Sequence, residues 1–124
     1  MKIRQLLWAS PLLLVGLWSE SAVSGPADDP SVTELAASVK RGDEIFHAAW
    51  VKGGKTCATC HAEGLNRLTS DRLKSYPKYD KAWQKVISGQ QKLNQMIRDR
   101  SAGEMLVLGS PDLTALEAYV STLR

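Results

Sequence analysis

Cys57 and Cys60 stand three residues apart and His61 follows at once, in the run Lys55-Thr56-Cys57-Ala58-Thr59-Cys60-His61. Cysteines at that spacing lie about one helical turn from each other. Both sulfurs can then reach one edge of a flat ligand while the histidine is carried beneath it. This is the spacing of a c-type haem attachment sequence, in which two thiols bond the porphyrin vinyls and the imidazole binds iron from the proximal side. Ala58 and Thr59 are small enough to let the peptide lie against the ring. Other uses of a C-x-x-C pair fit less well. A zinc site needs two further ligands, but the chain has two cysteines in all and one other histidine, His47. A redox dithiol of the thioredoxin kind wants a βαβ pattern, which is absent. The cofactor to expect is one covalently attached haem c.

An iron held by His61 has a second axial position, and its occupant decides between electron transfer, gas binding and work on a substrate. The candidates are Met96, Met105, His47 and Asn94, or an open site. A methionine thioether favours reduced iron and raises the potential, which suits an electron carrier. Met96 falls on an expected helix whose apolar face should meet the porphyrin. Met105 falls in the loop before the last helix, where small cytochromes c often place their methionine. Spacing alone does not separate the two. Asn94 lies about 200° around the helix from Met96, so both cannot face one iron. It would matter for an oxygen-binding cytochrome with a weak sixth ligand. His47 reads as a helix-surface residue.

The elements that must position these residues are helical. Ser31 with Glu34 forms a capping box for a first helix over 32–39. A second helical pattern after Gly42 runs to Trp50, with Ile45, Phe46, Ala49 and Trp50 on one side; the two are either continuous or kinked at Gly42. Gly53-Gly54 ends it. Residues 62–82 read as polar and irregular, with Pro77 disfavouring helix at Tyr76. Lys85-Val86-Ile87 is a short extended segment. Ser88-Gly89-Gln90-Gln91 is a capping box that opens a helix to about Arg100, with Leu93, Met96 and Ile97 as its apolar face. A loop over 102–109 contains Met105, and Ser110-Pro111 starts a last helix with a buried stripe of Leu113, Leu116, Val120 and Leu123. That helix should cross the one bearing Ile45 and Phe46. The expected fold is all-α, a single small cytochrome c-type domain with helices packed around the haem.

Residues 1–24 have the form of a secretory signal: Lys2 and Arg4, an apolar run from Leu6 to Trp18, then Ala22-Val23-Ser24 before Gly25. The run is short and interrupted by Ser10 and Pro11, a poor membrane span. The division expected is a signal peptide over 1–24, a leader and first helix over 25–40, and a monohaem cytochrome domain over 41–124. The destination is the periplasm, with no membrane span after signal cleavage. The chain carries 16 basic and 13 acidic side chains. Without Lys2, Arg4 and Glu20 these become 14 and 12, and two haem propionates bring the balance near zero. Nucleic-acid binding therefore has no electrostatic support. Redox proteins are the partners to expect, a second cytochrome subunit among the candidates. Arg67 and Arg72 follow the motif closely enough to pair with propionates, although solvated loop arginine is the plainer reading. Lys52, Lys55, Lys74, Lys78, Lys81 and Lys85 could form a positive rim for an acidic partner, with a solvated surface again plainer.

A wider set of segments resembles a haem domain of SoxA, the haem subunit of the bacterial thiosulfate-oxidising Sox system. The segments are Gly42-Asp43-Glu44-Ile45-Phe46, the haem motif, Tyr76-Pro77-Lys78-Tyr79-Asp80, Lys92-Leu93-Asn94-Gln95-Met96 and Gly109-Ser110-Pro111-Asp112-Leu113, followed by Ala115 to Val120. The resemblance covers roughly residues 41–123. It implies a class I-like c-type cytochrome fold, a link to sulfur-compound oxidation, and Met96 as the residue aimed at iron. In that family a cysteine at this position ligates the haem and carries the substrate sulfur covalently. A thioether has no ionisable thiol to form such a bond. The function expected is a periplasmic monohaem cytochrome carrying single electrons, more an electron-transfer protein than an enzyme. The alternatives are a SoxA-like haem subunit of a sulfur-oxyanion-oxidising enzyme, or a ligand-binding cytochrome with a labile sixth ligand.

Overall fold

A computed structural model of the chain describes residues 29–61 and 68–124. The signal segment, Arg67 and residues 62–66 lie outside them. Helix α1 spans Pro30–His47. Its cap is not the expected Ser31. The Asp29 carboxylate accepts from the Ser31 backbone N–H at 2.9 Å, and Pro30 occupies the first turn. A carboxylate followed by a proline pre-set for helical φ starts the helix two residues earlier than the Ser31–Glu34 pair would. The helix continues unbroken through Gly42 and stops at His47, short of Trp50, because Ala48 is already extended.

Helix α2, Cys57–His61, is the haem motif itself. Thr56 Oγ1 accepts from the Thr59 N–H at 3.0 Å, and Thr59 Oγ1 accepts from the Thr56 N–H at 3.1 Å. This reciprocal pairing satisfies donors that a five-residue helix cannot pair internally. Thr59 is therefore a structural residue as well as a small one.

The stretch expected to be irregular contains helix α3, Ser70–Lys74, and strand β1, Lys78–Asp80. Periodicity could not reveal elements this short. Strand β1 pairs antiparallel with β2, Lys85–Ile87, with Tyr79 opposite Val86. The Tyr76–Pro77 bond is cis. Helix α4, Gly89–Ser101, opens with the expected capping box: Ser88 Oγ accepts from the Gln91 N–H, and the Gln91 side chain accepts from the Ser88 N–H. Helix α5, Pro111–Val120, is capped by Ser110.

Helices α1 and α5 make the principal helix contact. Gly42 is buried at their crossing, where an added Cβ would lie 2.0 Å from the Ala115 carbonyl oxygen and 2.6 Å from Tyr119 Cβ. Glycine is needed there for close approach. Ile45, Phe46, Leu93, Ile97, Leu113, Ala115, Leu116 and Val120 form the core, with Leu123 partly buried beyond the end of α5. Outside the crossing, Arg41 on α1 pairs with Asp112 on α5 at 2.9 Å. That pair is too exposed to weigh much beside the apolar packing. No helix among the described residues is long and apolar enough to cross a membrane.

Candidate haem site

Two depressions meet on one side of the core. The first, of about 340 Å³, is walled by Phe46, Leu68, Leu73, Leu93, Leu116 and Val120. The second, of about 370 Å³, is bordered by Thr56, Cys60, Arg100 and Ser101. Cys57, His61 and Met96 line both. The residues where the two cavities join are thus a thiol, an imidazole and a thioether, drawn from α2 and α4.

Each is positioned by its element. On α2 Cys57 is half-buried and Cys60 exposed, so the motif lies along the rim of the cavity. Burial pushes the Cys57 thiol above its usual pKa. On α4, Leu93 and Ile97 are buried in the core and Met96 is turned toward the cavity beside them. The walls are apolar, and the sulfur and nitrogen donors are soft ligands suited to haem iron and its thioether attachment. The residues present fit a haem c.

The other candidates lie elsewhere. Met105 is 49% exposed and borders a shallow depression with Trp83, Val107 and Leu108. Asn94 is buried and bonded to the loop at both ends of its amide: its Nδ2 donates to the Leu106 carbonyl at 2.7 Å, and its Oδ1 accepts from the Leu106 N–H at 2.9 Å. It ties the Met105 loop to α4. His47 is on the surface, with Nδ1 3.0 Å from both the backbone oxygen and the carboxylate of Asp43. Arg72 borders the first cavity, as does Lys78 of the expected positive rim. Lys74 is exposed beside Asp71, and Lys85 lies over the Trp83 ring.

A family model for the SoxA/TsdA cytochrome c domain matches residues 41–123. The chain belongs to that family. No curated protein and no solved structure matches it. Membership gives this SoxA/TsdA-type domain a haem c and a haem electron-transfer role linked to sulfur oxidation.

Residue-by-residue reading of this SoxA/TsdA-type domain missed several cavity residues. Tyr76 and Lys92 line the first cavity and Arg100 the second. Tyr76 belongs to the Tyr-Pro-Lys-Tyr segment, so the resemblance marked its neighbourhood without its role. The polar cluster beside the site was also hidden. Asp80 Oδ1 accepts from the backbone N–H groups of Ala82 and Trp83 at 2.9 and 3.0 Å and from Gln95 Nε2 at 3.1 Å. Its Oδ2 accepts from Lys92 Nζ at 3.0 Å, and Lys92 also donates to Gln95 Oε1. The backbone bond from Trp83 and the Lys92 ammonium hold the Asp80 carboxyl down at about 2.

Proposed function

We propose that the chain is a periplasmic monohaem c-type cytochrome that carries single electrons in sulfur-compound oxidation. Cys57 and Cys60 hold the haem through thioether bonds, His61 is the proximal ligand and Met96 the distal one. The observation that carries this reading is the meeting of Cys57, His61 and Met96 at the junction of two cavities, with Met105, His47 and Asn94 outside both. A haem c bound there supplies one-electron chemistry at iron. The chain's own contribution is positional. Helix α2 presents the thiols and imidazole along one edge, α4 presents the thioether, and the wall of Phe46, Leu93, Leu116 and Val120 excludes water. With His61 and Met96 each fixed by its helix, a bound iron would keep the same two side-chain ligands on gaining or losing an electron.

The signal-like residues 1–24 support export, and the chain works with redox proteins as partners. Met96 in place of a cysteine favours electron carriage over sulfur-transfer chemistry, since a thioether cannot form the covalent sulfur link. Carbon monoxide added to the reduced holoprotein at neutral pH tests this. An unchanged spectrum is expected for a carrier whose distal position is filled by a side chain. Prompt binding would instead mark a labile sixth ligand and a gas-binding or substrate-handling site.

A further inference from the structure

We infer that Arg72, Tyr76 and Lys78 form the cradle for the haem's two propionates and hold them ionised. This rests on the haem reading above. A haem tethered through its vinyl groups has its orientation set, because the propionates leave the porphyrin from the edge opposite the thioethers. In this chain Cys60 borders the second cavity, with Thr56, Arg100 and Ser101, and Cys57 borders both, which puts the tether edge toward the second cavity. From the shared Cys57, His61 and Met96 the other cavity runs into an apolar wall of Phe46, Leu68, Leu93, Leu116 and Val120, which offers a carboxylate nothing. Its polar lining is Arg72, Tyr76, Lys78 and Lys92.

Of these four, Lys92 is already committed to Asp80 and Gln95. The other three come from one stretch of seven residues and retain donors. The Arg72 guanidinium and the Tyr76 hydroxyl have no hydrogen-bond partner among the described residues, although both border the cavity. Lys78 Nζ donates to Ser75 Oγ at 3.1 Å and lies 4.5 Å from the centre of the Tyr76 ring. An ammonium has three N–H donors, so it can still serve a second acceptor. Burial raises the Tyr76 pKa, which keeps its hydroxyl protonated as a donor. A guanidinium that can bond a carboxylate through two nitrogens, a phenol and an ammonium match two carboxylates. No other cluster in the described part of the cleft offers this combination.

The test uses holoprotein matured with its haem attached, and reads the midpoint potential by spectroelectrochemistry as pH is varied. Cations beside a propionate lower its pKa and offset its negative charge near the iron. Arg72→Gln should therefore lower the midpoint potential and raise the pH at which the potential begins to depend on pH. Tyr76→Phe should raise that pH in the same sense, through loss of one donor with the ring kept. Arg72→Lys should restore part of the potential. Lys74→Gln removes one positive charge from the same short helix, at an exposed residue that does not line the cavity, and should change neither quantity. If the haem is attached and Arg72→Gln and Tyr76→Phe both behave like Lys74→Gln, the cradle is wrong while the haem reading stands. If maturation in a competent host attaches no haem, the haem reading fails and takes the cradle with it.

Discussion

Four consecutive side chains on α4 show how much one short run can specify. Leu93 enters the core, Asn94 holds the Leu106 backbone, Gln95 reaches Asp80, and Met96 lines the cavity. At 100° per residue successive side chains meet different neighbours, so each is exposed to a separate requirement. Met96→Ala should abolish the weak far-red absorption of a methionine–iron(III) bond, and Met105→Ala should leave it intact. The reverse result would place the distal ligand in the loop. Asn94→Ala leaves both polar groups of Leu106 without their partner. A cost of about 1–3 kcal/mol is expected in thermal or denaturant unfolding, together with faster amide exchange at Leu106. Loss of gas or iron binding is not expected from it, because its amide faces the loop.

Among the elements, the β1–β2 hairpin and α4 are joined by Asp80, which is 9% exposed. Its pKa is lowered in the fold to about 2 from an ordinary 3.8. A depressed carboxylate stabilises the fold fully above its unfolded pKa, and that contribution fades as pH falls through the folded value. The hairpin should therefore stay docked above about pH 4 and loosen between there and pH 2. Trp83 fluorescence followed during acid titration reads this directly. Asp80→Asn should remove the step and weaken the hairpin already at neutral pH. Helices α1 and α5 meet at Gly42 with no room for a side chain. The obstacle to a methyl group is backbone, which cannot swing aside. Gly42→Ala should cost about 1–3 kcal/mol or more in thermal unfolding, through separation of the helices.

For the whole molecule, a bound haem would also complete the core. The cavity wall includes Phe46, Leu93, Leu116 and Val120, which also belong to the central cluster. A ligand that binds only the folded form adds its binding free energy to stability. With the thioether bonds made, it cannot dissociate. The double variant Cys57→Ala, Cys60→Ala should unfold at lower temperature and with less cooperativity than the holoprotein, measured by circular dichroism. An unchanged transition would show that the helices close without the tetrapyrrole.

Some of this was open to a reader of residues alone, and the reason is local chemistry. The haem motif is contiguous, so its chemistry can be read without a fold. The helix starts at Ser88 and Ser110 follow from side-chain oxygens and their own downstream N–H groups, and both occur as expected. The first helix deceived because two caps competed over three residues, and Asp29-Pro30 prevailed over Ser31. The short α3 and β1 leave too few residues for any period to register. Tertiary structure decided the matters that need distant segments brought together. Only packing shows that Met96 shares a cavity with His61, that Asn94 is engaged by Leu106, and that Arg72, Tyr76 and Lys78 line that cavity too. Contacts between residues far apart in sequence depend on how helices cross, and no single stretch of chain encodes that crossing.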